Sequence, residues 1–191
     1  VDIPREIELL TEASKRGNHQ ATYRLGLLFE DNESGMAQNL ELSVKYFQLA
    51  ADNGILAAIN KMGELYLFGE VIPANLTKAI SCFTAASEQG YGKASYWLGR
   101  LHTDGIGQLE KDTQKAMNYY RKAIEQGYEE AREWMEQLQK NLVDETITDI
   151  EIPQDKSDEE LYKEAKNALE KAQFKTAYAY FSYLTQRNHA E

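Results

Sequence analysis

The chain has 191 residues, 42% hydrophobic and 27% charged, enough for one or two domains with a buried core and too apolar for a disordered chain. Its net charge of −10 counts against nucleic acid or an anionic lipid surface as a partner, because both select basic patches. One cysteine, Cys82, excludes an internal disulfide framework and a cysteine-rich metal site, and no apolar run reaches the roughly 18 to 20 residues that span a bilayer.

Three prolines against many Ala, Leu, Glu, Lys and Gln residues predict an all-α fold. Residues 5–17, "REIELLTEASKRG", read as the second helix of a preceding pair. From residue 18 the chain repeats itself. Glycines recur at Gly17, Gly54, Gly90 and Gly127, in steps of 37, 36 and 37 residues. Gly26, Gly63 and Gly99 form a second series, each preceded by a large apolar residue (Leu25, Met62, Leu98) and, five positions upstream, by Ala21, Ala58 or Ala94. Asn39, Asn75 and Asp112 follow, then Ser43, Ala79 and Ala116, then Phe47, Phe83 and Tyr120, and then Ala50, Ala86 and Ala123. This period predicts an α/α superhelical solenoid of antiparallel helix pairs, with repeats at 18–54, 55–90 and 91–127.

Each recurring residue has a physical role. The Ala and Leu-Gly spacing gives the first helix of a pair an apolar stripe. The mid-helix glycine costs about 1 kcal/mol against alanine and suits close approach by the aromatic of the second helix. Asn or Asp caps the second helix from its side chain, and the terminal glycine supplies the left-handed turn that ends it.

After Gly127 a fourth first helix begins over 128–143, with Ala131 and Met135 in register and Glu136 at the glycine position. Glutamate there bars the close approach, so the pairing changes. The array therefore covers 1–143. Residues 144–156, acidic and containing Pro153, read as a linker. Ser157 and Glu160 form a capping box that opens a further helical hairpin over 157–191, with Leu161, Ala165, Ala168, Ala177 and Phe181 at core positions and Asn188 at the terminal-glycine position. The pattern is still running at the last residues, so the chain reads as a piece of a longer protein.

The pattern resembles the Sel1-like repeat, an α/α module related to the tetratricopeptide repeat, and matches best over "YGKASYWLGRLHTDGIGQLEKDTQKAMNYYRKAIEQG" at 91–127. The resemblance implies a non-enzymatic adaptor that assembles protein complexes, in bacteria with roles in envelope processes or invasion of host cells. A cysteine-rich bacterial subgroup linked to penicillin binding or β-lactamase activity carries a cysteine pair in each repeat, which this chain lacks. The Lys-, Asn- and Gln-rich composition and the imperfect repeats point to a bacterial periplasmic or secreted protein.

Within this frame no catalytic constellation, metal site or cofactor site is expected. Gly105-Ile106-Gly107 stands where repeat two has Phe68-Gly69-Glu70-Val71, and neither lies between a strand and a helix, so it reads as a turn and not a phosphate cradle. His102 aligns with Phe29 and Tyr66, and Cys82 with Tyr46 and Tyr119; both read as packed core residues. His19 and His189 lie at turns, without metal-ligand spacing.

The surface offers more. First helices in such solenoids line the concave side, where equivalent positions form stripes. Two residues before each Leu-Gly glycine, or its equivalent, stand Arg24, Lys61, Trp97 and Trp134; one residue after stand Leu27, Glu64, Arg100 and Gln137. These eight are the candidate site, for a protein partner, with Trp and Arg as its anchors. The resemblance implies a small polar residue at the first row, so Trp97 and Trp134 are departures. Tyr91 and Tyr128 read as packing between repeats. The alternative function is a cell-wall-binding protein, for a muropeptide or a β-lactam, or a regulator of an envelope enzyme, since aromatic grooves also hold sugars and peptides.

Overall fold

The computed structural model describes residues 3–31, 38–106, 109–147, 152–153, 155–170, 180–181, 183–184 and 187, and every regular element among them is an α-helix. Helix α1 (Ile3–Lys15) precedes three pairs: α2 (His19–Glu30) with α3 (Leu40–Asp52), α4 (Leu56–Phe68) with α5 (Leu76–Glu88), and α6 (Gly92–Asp104) with α7 (Thr113–Glu125). The pairs also pack in sequence, α1 on α2, α3 on α4 and α5 on α6. Nearest-neighbour stacking of this kind is the solenoid that the period predicts.

The recurring residues form the core. Ala21, Ala58 and Ala94, with Leu25, Met62 and Leu98, are buried on the first helices. Ser43, Ala79 and Ala116, Phe47, Phe83 and Tyr120, and Ala50, Ala86 and Ala123 are buried on the second. Each aromatic ring lies directly on the glycine of its partner helix: a Cβ added to Gly26, Gly63 or Gly99 would come within 2.6 Å of it. Carbon atoms in contact sit about 3.5–4.0 Å apart, so only glycine admits the ring at this depth. The helix-propensity cost of about 1 kcal/mol is offset by full burial of an aromatic side chain, about 1.5–3 kcal/mol.

The helix ends follow the same logic. Asn39, Asn75 and Asp112 accept from the backbone N–H three residues on, at 3.0, 3.0 and 2.9 Å, and Asn18 does so for α2. Helix α7 closes in a Schellman turn: the Gly127 N–H, at φ +86°, donates to the carbonyl of Ile124, and the Tyr128 N–H to that of Ala123. The same two bonds end α1, α3 and α5. Inside each pair, the N–H of Asn39, Asn75 or Asp112 donates to the carbonyl of Phe29, Tyr66 or His102. Gly69 and Gly105 end α4 and α6 in the left-handed conformation, so Gly105-Ile106 is a turn; Gly107, and the loop at 32–37, lie outside the described residues.

Helix α8 (Ala131–Ile147) opens as a fourth first helix, with Ala131 buried. It runs four residues past the expected boundary at 143, into the stretch read as linker, because neither glycine nor proline interrupts the chain before Pro153. The chain divides into two compact units, Val1–Met135 and Glu136–Glu191, so Glu136 opens the second. In that second unit α9 (Asp158–Glu170) starts from its capping box: the Ser157 N–H donates to the Glu160 carboxylate at 2.9 Å and the Glu160 N–H to Ser157 Oγ at 3.4 Å. Leu161, Ala165 and Ala168 are buried, and Phe181 meets the Tyr162 ring edge-on at 5.7 Å. Ala177, Asn188 and most of the second helix expected there lie outside the described residues. No helix among the described residues is long and apolar enough to cross a membrane.

Candidate functional site

His102, in the last turn of α6, stacks on Tyr119 with ring centroids 5.6 Å apart and planes 8° from parallel. Phe29 stacks on Tyr46 in the same way in the first repeat, at 5.6 Å and 5°. The His102 Nδ1 is buried without a hydrogen-bond partner. Burial, and after it the Lys115 charge, hold its pKa below the usual 6.5 against the pull of Asp112. A neutral imidazole in a stacking position is packing. Cys82 is half-buried on α5, and burial raises its thiol pKa over the opposing charge of Lys78, which disfavours the reactive thiolate. Among the described residues no three His, Cys, Asp or Glu side chains gather into a metal site.

The first-helix rows form connected clusters. Glu64 on α4 keeps only 12% of its side chain exposed. Its Oε1 accepts from Lys93 Nζ at 2.7 Å, Trp97 Nε1 at 2.9 Å and Asn60 Nδ2 at 2.9 Å. Its Oε2 faces Lys61 Nζ at 3.8 Å, and Lys61 reaches Glu30 of α2 at 2.8 Å. Glu64 therefore ties α4 to α6, and Lys61 beside it ties α4 to α2. A carboxylate this enclosed needs both donors and counter-charges, and it has both. Burial pulls the Lys93 pKa down, but the hydrogen bond and charge of Glu64 outweigh it and leave it above the usual 10.5. Tyr23 is pushed up to about 12 by burial and then by the charges of Tyr91, Glu64 and Glu30.

Trp97 is half-buried and held on three sides. It stacks on Phe83 at 5.9 Å and meets Phe68 and Tyr96 edge-on at 5.6 and 5.5 Å. It thus rests on Phe83 of α5, the second helix of the preceding repeat. The guanidinium of Arg100 lies 3.8 Å from the centre of the Trp134 ring; it donates to the Tyr96 hydroxyl at 3.1 Å and reaches Asp104 at 3.4 Å. Tyr96 also touches Tyr128 and Trp134, at 5.2 and 6.3 Å between centroids. Trp134 remains 39% exposed. At the start of the array Arg24 is exposed and pairs with Glu6 of α1 at 2.9 Å, and Leu27 is exposed beside it on α2. Gln137 lies in the second unit and donates to Asn141 at 3.0 Å.

The structure therefore gathers Lys61, Glu64 and Trp97 into one cluster and Arg100 and Trp134 into another, with Arg24 and Leu27 on α2 in neither. Sequence reasoning missed Phe68 and Tyr96. Phe68, 56% exposed at the end of α4, leans on the edge of Trp97. The other repeats have Asp31 and Asp104 at its position, and that departure was the available signal. Beside Phe68 opens a cleft of about 240 Å³ lined by Glu30, Lys61, Glu64, Leu65, Phe68 and Glu70.

The Sel1 repeat matches residues 19–55, 56–91 and 92–128, each one residue later than the boundaries read from the glycines. The chain belongs to the Sel1 repeat family. Sel1 repeats form protein-interaction scaffolds. Over 109 residues, 56% of its length, this Sel1 repeat chain is 32% identical to the chitin synthase regulator SKT5 of Malassezia restricta, of which it covers 8%. Over 70 residues, 37% of its length, it is 40% identical to protein sel-1 homolog 2 of Rattus norvegicus, of which it covers 10%. It thus spans a tenth or less of these relatives. Among solved structures, a Sel1 repeat protein from Oxalobacter formigenes superposes with TM-score 0.63 at 26% identity, over 68% of this chain and 52% of that one. A protective antigen of uropathogenic Escherichia coli shares the fold, with TM-score 0.58 at 19% identity, over 94% of this chain and 48% of that one.

Proposed function

We propose that this Sel1 repeat chain is a non-enzymatic scaffold that docks a partner protein on its first-helix face, the concave side of the solenoid. The observation that carries this reading is the state of its aromatics. Trp134 and Phe68 are exposed large apolar side chains, yet each is fixed by neighbours, Trp134 by Arg100 and Tyr96 and Phe68 by Trp97. Exposed rings that are already ordered lose little freedom on binding and bury much area, which is what interface anchors do. Glu64 and its partners brace the same face, so docking needs no rearrangement of the helices. The Malassezia relative is named as a regulator of chitin synthase, and a regulator that docks on an enzyme would use such a face. We extend the proposal to a role in bacterial envelope processes or invasion of host cells, which the family resemblance suggests.

Affinity capture from cells of the source organism tests the reading. The wild-type chain is compared with a Phe68→Ala, Trp134→Ala double variant whose helical circular dichroism is unchanged. A protein retained by the wild type and lost from the variant is the expected result. Equal retention by both refutes the assignment of the face.

A further inference from the structure

The cleft beside Phe68 joins an exposed aromatic ring to a carboxylate, Glu70, that is exposed and holds no ion pair or hydrogen bond among the described residues. We infer that this cleft receives a lysine or arginine side chain of the docked protein, from a segment carrying an apolar residue beside it; the inference rests on the docking-face reading above.

Charge decides the class of occupant. Glu30, Glu64 and Glu70 line the cleft with Lys61. Lys61 pairs with Glu30 and Glu64, and Lys93 also holds Glu64, at 2.7 Å. Two cations thus meet three carboxylates, and the excess sits on Glu70. An acidic occupant would be repelled. A purely apolar one would cover Glu70 without giving its charge a partner, which is costly. A long cationic side chain satisfies both walls: its methylene stem lies along Leu65 and Phe68 while its head meets the carboxylates, and a cation near a ring face gains further.

The chain already uses the same chemistry on itself. Lys61 bridges Glu30 and Glu64 with its ammonium 5.7 Å from the centre of the Phe47 ring, and Arg100 lies over Trp134. The repeat alignment makes the cleft a feature of the middle repeat, since Asp31 and Asp104 replace Phe68 in its neighbours. The net charge of −10 favours approach of a basic segment.

The test selects binders to the whole 191-residue chain from a displayed library of random twelve-residue peptides. The winners are then titrated against wild type, Phe68→Ala, Glu70→Lys, and the double variant Arg100→Ala, Trp134→Ala. Glu70 and Phe68 are exposed, so their variants keep the fold, checked by thermal melting. The inference expects winners with Lys or Arg next to an apolar residue, about tenfold weaker on Phe68→Ala and Glu70→Lys and weaker at high salt. Winners without basic residues, or unaffected by those two changes but lost from Arg100→Ala, Trp134→Ala, overturn the cleft and leave the docking face standing. Winners unaffected by every variant, or no enrichment at all, overturn the docking face and the cleft with it.

Discussion

In an ordinary helix, replacing an interior glycine by alanine stabilises the protein by about 1 kcal/mol. At Gly99 the opposite sign is expected. The new methyl would stand 2.6 Å from Tyr120 Cε1 and 2.7 Å from Cδ1, about 1 Å inside contact distance. The ring has nowhere to go. Tyr120 is fully buried, and its hydroxyl is hydrogen-bonded to Thr103 Oγ1 at 2.9 Å, which itself donates to the Gly99 carbonyl at 3.0 Å. Overpacking costs about 1–3 kcal/mol, and loss of the Tyr–Thr bond about 1 kcal/mol. Against the propensity gain, Gly99→Ala loses about 1–3 kcal/mol net. In urea, with a slope of about 2 kcal/mol per molar, the unfolding midpoint followed by helical circular dichroism falls by about 0.5–1.5 M. Phe47 and Phe83 lack the hydroxyl tether, so Gly26→Ala and Gly63→Ala cost less. In a Tyr120→Ala background the same Gly99→Ala change becomes neutral or stabilising. A rise in the midpoint of Gly99→Ala in the wild-type background would refute the close-approach reasoning.

Glu64→Gln keeps the shape of the brace but withdraws its charge from Lys61 and Lys93; a loss of about 1–2 kcal/mol is expected in the same urea titration. Because Lys93 titrates above 10.5 in the fold, its share of stability is present below that pH and is lost as the pH rises through the folded value; Glu64→Gln removes the largest opposition to burial and leaves only the smaller effects of Tyr91 and Tyr128, so the Lys93 ammonium, followed by NMR, titrates lower than in wild type. The His102 pKa lies below 6.5 in the fold, so the unfolded chain takes up the proton first and stability falls as the pH drops below 6.5 toward the folded value. His102→Phe keeps the stack on Tyr119, as Phe29 does on Tyr46, and flattens that part of the melting-temperature profile between pH 7 and 5. Asn75→Ala removes the cap of α5, whose oxygen accepts from the Lys78 N–H at 3.0 Å, and lowers stability by about 1 kcal/mol, read as a shift in the thermal midpoint.

The fold was legible because the repeat copies one packing solution three times. Gly26, Gly63 and Gly99 could be matched to Phe47, Phe83 and Tyr120 from spacing, since a glycine in mid-helix is unfavourable unless something fills its place. The caps and Schellman glycines were legible for the same reason: Asn, Asp and Gly each satisfy a backbone demand that few other residues meet. The length of α8 was not, because acidic residues without glycine or proline read equally as linker or as helix. The candidate rows were placed correctly on the first helices, yet helical spacing says nothing about partners across a repeat joint. Lys61, Glu64 and Trp97 therefore read as open surface, although Glu30, Lys93 and Phe83, all from neighbouring repeats, close around them. Phe68 was overlooked because attention went to positions that recur, whereas its significance is that it does not.

Photocross-linking tests the docking face most directly. A benzophenone amino acid is placed in turn at Phe68 and Trp134 on the first helices, and at Leu49 on α3, an exposed apolar position of a second helix. Irradiation in cells of the source organism should join one partner protein to the chain from Phe68 and from Trp134, and not from Leu49. The same partner trapped from Leu49 alone, or equally from all three positions, would contradict a docking face on the first helices.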